Sequence, residues 1–205
     1  MSGIIAQNIL DNSGLIKAPA GGGSWNFIKK LTASSSSTLS FVDGTDDVDL
    51  SYKEILFTLH NMHSSTYAQM RFQVDVNGST SYNTTVTSTA FRAANREDGT
   101  DEHLEYVAGD DQAQGTSFHN LGTESAWSPQ DDMSTSGYVR FYDLSNTTYV
   151  KHFVAKGMAF DLSPWYRCIY FAGYFNTTTA IDKVQFKFSA GNMDTGQICC
   201  YGLST

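Results

Sequence analysis

Residues 68–76, AQMRFQVDV, decide the fold class. Met70, Phe72, Val74 and Val76 alternate with Arg71, Gln73 and Asp75. Successive side chains of an extended strand point to opposite sides, so this period of two puts the apolar set on a buried face and the polar set in solvent. Residues 183–189, KVQFKFS, repeat the rule, with Val184, Phe186 and Phe188 opposite Lys183, Gln185 and Lys187.

Working outward, strands are expected at WNFIKKLT (25–32), STLSFVD (37–43), YKEILFTLHN (52–61), NTTVTSTAF (83–91), GYVRFYDL (137–144), TYVKHFVAK (148–156), YRCIYFAGYF (166–175) and GQICCYG (196–202). Turn residues separate them, among them Asp43 with Gly44, Asn77 with Gly78 and Asp98 with Gly99. No stretch of a dozen residues carries a 3.6-residue apolar stripe. The expectation is an all-β domain over residues 25–205, a jelly-roll-like two-sheet sandwich of about nine or ten strands. The polar interval 93–136 is expected to form long loops with one short strand near HLEYV (103–107), the place for ligand or partner contacts.

The chain has 205 residues, a formal net charge of -8, 3 Cys and 5 His. Its acidity argues against nucleic acid, since the densest basic stretch is Lys29 with Lys30. No apolar run approaches the roughly 20 residues of a membrane span, so no membrane partner is expected. MSGIIAQNIL (1–10) has no basic n-region, and Gln7 and Asn8 interrupt its apolar residues. A cleaved secretion signal is therefore not expected, and the sequons at Asn77, Asn83, Asn146 and Asn176 read as turns.

Three cysteines without a CxxC argue against zinc. On a strand Cys199 and Cys200 face opposite sides, Cys200 with Ile198 and Cys199 with Tyr201, and are expected to pack as small apolar residues. His60 and His63 meet only if the chain turns at HNMH, and His152, between Val150 and Val154, is expected to be a hydrogen-bonded core residue. DGTDDVD (43–49) offers Asp43, Asp46, Asp47 and Asp49 as oxygen ligands for calcium, but it lacks the EF-hand arrangement and suits a turn better. There is no GxSxG elbow, phosphate-cradling glycine loop or HExxH helix. Neither catalysis nor a cofactor is expected.

Residues 1–24 carry the apolar pairs Ile4 with Ile5, Ile9 with Leu10 and Leu15 with Ile16 ahead of Gly21, Gly22 and Gly23. They read as an anchoring arm on a flexible hinge. The segments GLIKAPAGGGSWNFIKKLTASSSSTLSFVDGTDD (14–47), YKEILFTLHNMH (52–63), TTYVKHF (147–153), AGYFNTTTAIDKVQFKFSAGN (172–192) and TGQICCYGLS (195–204) resemble a group of tailed-bacteriophage virion proteins, especially of marine and cyanobacterial phages. The resemblance spans 14–204, is loose over 93–136, and is most specific at the C-terminal pattern of strand, Ser-x-Gly-Asn, x-x-x-Gly, strand and Tyr-Gly. It implies a virion structural protein, with other capsid or tail proteins as partners and homo-oligomers, trimers among them, as the expected state. Capsid decoration is the leading expectation. The alternative is a tail-fibre or adhesin-type module that binds host surface glycan, with Trp127, Trp165, Tyr166 and Tyr174 stacking on sugar rings.

Overall fold

The computed structural model describes residues 24–122, 130, 132–160 and 164–203, and among the described residues there is no helix. The chain forms β1 (Trp25–Thr32), β2 (Leu39–Val42), β3 (Glu54–Ser64), β4 (Met70–Val76), β5 (Val86–Arg96), β6 (Glu102–Tyr106), β7 (His119–Asn120), β8 (Thr135–Tyr142), β9 (Lys151–Phe160), β10 (Trp165–Phe175), β11 (Ile181–Phe188) and β12 (Met193–Leu203). All ladders are antiparallel. The interval 93–136 is more structured than its composition suggests: it holds the end of β5, all of β6 and β7, and the start of β8.

An eight-stranded sheet in the order β1-β12-β3-β8-β9-β10-β5-β6 packs against a four-stranded sheet in the order β2-β11-β4-β7. Phenylalanines alternating along the strands supply the interior. Phe57 of β3 meets Phe41 of β2 at 4.9 Å and Phe186 of β11 at 5.3 Å, and Phe72 of β4 meets Phe153 of β9 at 5.4 Å. All five rings are essentially fully buried. Several of these contacts are edge-to-face, which the ring quadrupole favours.

The polar side of β4 departs from its pattern. Gln73 and Asp75 are buried, not solvated. The segments 77–85 and 112–118 cover them, and both side chains bond backbone that the covering chain would otherwise leave unpaired. Gln73 Nε2 lies within donating distance of the carbonyls of Thr84, Thr116 and Ser117 (3.2, 3.2 and 3.0 Å). The Asp75 carboxylate accepts the Val76 and Tyr82 N–H groups.

The wider sheet needs its own cover. Segment 107–115 runs along the first half of β5, where Ala90, Ser88 and Val86 bond Val107, Gln112 and Gly115. The chain then crosses β9 so closely that a Cβ on Gly157 would lie 1.7 Å from the Leu121 carbonyl oxygen. His152 is exposed, because the inward positions of β9 are Lys151, Phe153, Ala155, Gly157 and Ala159. The buried histidine is His119 of β7, against Phe72, Phe153 and Phe171.

Candidate interaction surface

Directly paired residues of an antiparallel ladder share a face, so the register assigns the outer face of the eight-stranded sheet. An antiparallel sheet with one solvated side should show polar residues there. This one sets many rings and aliphatics among its polar residues. Trp25, Phe27, Tyr201 and Leu56 occupy the β1-β12-β3 end, Tyr138, Val154 and Met158 the middle, and Tyr166, Tyr170, Phe91, Leu104 and Tyr106 the β10-β5-β6 end. Leu104 is 78% exposed, Phe27 60% and Tyr106 56%.

The charges on this ladder are few and largely engaged. Arg140 lies 5.4 Å from the Trp25 ring centre and 3.6 Å from the Glu54 carboxylate, and Lys156 lies 5.1 Å from the centre of Tyr170. Tyr170 also stacks on Phe91 at 4.9 Å with ring planes 9° apart. Contiguous apolar surface of this kind marks an interaction site in a folded protein.

One end of the same face is polar and concave. The β3 register shifts between Leu59 and Met62, where Asn61 has φ +48°, and β12 shifts on both sides of Thr195. The two bulges sit opposite each other. Gly196, at φ +118°, fits because a Cβ there would meet Met62 Cα at 2.7 Å. The extra residue in β3 brings His60 and His63 to the same side, which a three-residue spacing on a regular strand forbids. Two adjoining hollows of about 580 and 670 Å³ result, one lined by His63, Asp132, Ser134 and Asp194, the other by His60, Gln197 and Cys199. His63 Nδ1 lies 3.5 Å from Asp194 Oδ2, and its Nε2 lies 3.1 Å from the Gln130 carbonyl oxygen.

The expected aromatic site divides. Trp165 lies on the inner face of β10 and Tyr166 and Tyr174 on the outer one, so a single bound sugar would not reach both faces. Trp165 stacks on His103 (4.9 Å, 20°) and has the Arg167 guanidinium 5.9 Å from its ring centre. With Arg92 and Glu105, joined at 2.7 Å, these residues line a hollow of about 260 Å³ where the large sheet extends past the small one. Trp127 and the arm residues Ile4, Ile5, Ile9, Leu10, Leu15 and Ile16 lie outside the described residues.

In the acidic loop Asp43 accepts the Leu50 N–H at 2.7 Å and Asp49 accepts from Ser51, both turn interactions, while Asp46 and Asp47 take positive φ. Among the described residues no three His, Cys, Asp or Glu side chains are placed to hold a metal ion. Cys168, Cys199 and Cys200 are free and buried, and burial pushes the Cys200 thiol pKa well up.

Period-two reading found the inner face and missed the outer one, although the signal was present. In YRCIYFAGYF both alternating sets are apolar, the mark of a strand covered on two sides. No protein-family model matches the chain, and no curated protein matches it.

Proposed function

We propose that this chain is a non-catalytic structural protein of a tailed-bacteriophage virion, carried on the capsid as a decoration protein or mounted on an appendage. The observation that carries an assembly role is the aromatic outer face of the eight-stranded sheet, too apolar to be left to solvent. The phage assignment rests on the sequence resemblance quoted above. In this reading the outer face and the arm 1–24 hold neighbouring subunits through buried apolar area, with Ile4, Ile5, Ile9 and Leu10 as the arm's first anchors.

The strand order supports a jelly-roll framework. β1, β3, β8 and β12 lie side by side in one sheet and β2, β4, β7 and β11 form the other, so along the chain these eight strands alternate between layers except at β4 and β7, which follow each other in the small sheet. The pairs β5-β6 and β9-β10 are then insertions that widen one sheet.

A second reading, glycan attachment, is favoured by one observation: the hollow that combines Trp165 with Arg92, His103, Glu105 and Arg167. Rings and charged groups of this kind recognise sugar rings and their substituents. Coexpression with the virion's other structural proteins, with and without residues 1–24, tests the first reading by electron microscopy. Arm-dependent density over the capsid lattice supports decoration, and density confined to the tail supports an appendage. No association with particles overturns the virion reading. A glycan array probed with the intact chain and with Trp165→Ala tests the second.

A further inference from the structure

We infer that the outer face of the eight-stranded sheet is covered by a second copy of this chain, packed sheet against sheet. The inference rests on the assembly reading and names the partner.

Size is the first reason. Eight strands at about 4.8 Å spacing, eight or so residues long at about 3.3 Å each, make a face of roughly 34 by 26 Å. Its projected area of about 900 Å² meets the roughly 800 Å² per partner of a stable interface. Two such faces pack about 10 Å apart, as the layers of a sandwich do.

Charge is the second. A protein of net charge -8 repels its own copies over most of its surface. Along the paired strands Lys30, Arg140 and Lys156 stand against Glu54 and Glu102, and Asp132 and Asp194 add negative charge only at the concave His63 end, so most of the face carries little net charge and largely escapes that repulsion. Lys30 sits on the edge strand β1 and Glu102 on the opposite edge strand β6. A two-fold axis along the strands between β8 and β9 brings the β1 edge of one copy over the β6 edge of the other. Opposite charges then share a rim, and the ring-rich end around Trp25 and Phe27 faces the one around Phe91 and Tyr106.

Sedimentation of the full chain tests this. The expected result is a concentration-dependent oligomer that Leu104→Glu and Phe91→Glu each weaken by about tenfold or more, with thermal unfolding unchanged at concentrations where the wild type is monomeric. Tyr149→Glu, in the β8-β9 connection and 71% exposed, should leave association unchanged. A wild-type chain that stays monomeric well above about 10 μM overturns the inference. So does an oligomer that ignores both face substitutions, or one that is lost only when residues 1–24 are removed. Incorporation into particles separates the two levels. If the chain is monomeric but the face substitutions still block incorporation, the second copy is wrong and the assembly role stands. If wild type dimerises through the face but never joins particles, the virion reading fails and the interface stands.

Discussion

His119 Nε2 lies 2.8 Å from Ser88 Oγ, a bond that joins β7 of the small sheet to β5 of the large one through the protein interior. His119 Nδ1 lies 2.7 Å from the Asn120 carbonyl oxygen, which only accepts, so the proton sits on Nδ1. Nε2 therefore accepts from the Ser88 hydroxyl, whose oxygen in turn accepts the Gln112 N–H at 3.0 Å. A neutral imidazole satisfies the whole chain of bonds.

Acid should break it. Burial among Phe72, Phe153 and Phe171 lowers the His119 pKa from 6.5 to about 4, with the Asn120 carbonyl and the Asp111 charge pulling weakly the other way. Unfolded chain takes up the proton as pH falls through 6.5, whereas folded chain resists until about 4. The stabilisation is complete above pH 6.5 and lost on descent to 4, about 3 kcal/mol in all. Urea unfolding at pH 7 and pH 5 should show wild type losing more stability than His119→Gln; equal losses would remove His119 as the cause.

Gln73 ties β4 to two covering segments, and its amide also accepts the Val74 N–H at 2.9 Å. Gln73→Leu keeps the volume but strips partners from buried backbone, at a cost of about 2 kcal/mol. Hydrogen exchange should quicken around 84 and 114–118 while β3 and β12 stay protected. Uniform quickening would mean a global role instead.

Lys151 is fully buried at the head of β9 and donates to the carbonyls of Thr177 and Thr179 at 3.2 and 2.8 Å. Desolvation lowers its pKa, and Asp143 opposes that. Lys151→Met retains the stem and orphans both carbonyls, so we expect a loss of about 2–3 kcal/mol. A denaturation midpoint equal to wild type would show that the two carbonyls find other donors.

Gly157→Ala puts a methyl into the Leu121 carbonyl, against backbone rather than a movable side chain. The expected loss is about 3 kcal/mol or failure to fold. Gly44→Ala is the comparison, with nothing within 4 Å of the added carbon but a φ of +72°, and should cost only about 1 kcal/mol. Thermal melts of the pair decide whether close approach at Gly157 matters more than left-handed backbone at Gly44.

The strands were legible because alternation is a local property: Met70, Phe72 and Val74 reveal the core side of β4 without reference to anything else. What covers the other side is not local. Gln73 bonds carbonyls 43 and 44 residues away, and nothing near it in sequence announces them. His119 lies on a two-residue strand, too short to show any period, inside an interval whose composition reads as loop. That His60 and His63 share one side of β3 depends on one extra residue at Asn61, visible only in the ladder register.

By itself, then, the sequence determined the all-β class, the positions of most strands and the apolar inner faces, since each follows from the two-residue repeat of an extended chain. Only the tertiary structure decided which polar residues are buried and that eight strands lie in one sheet. Those outcomes depend on which strands pair, and pairing joins residues far apart in the chain. The aromatic outer face follows from the same cause: β10 alone hints at it, and the rest is assembled one or two residues at a time from the strands that pair around it.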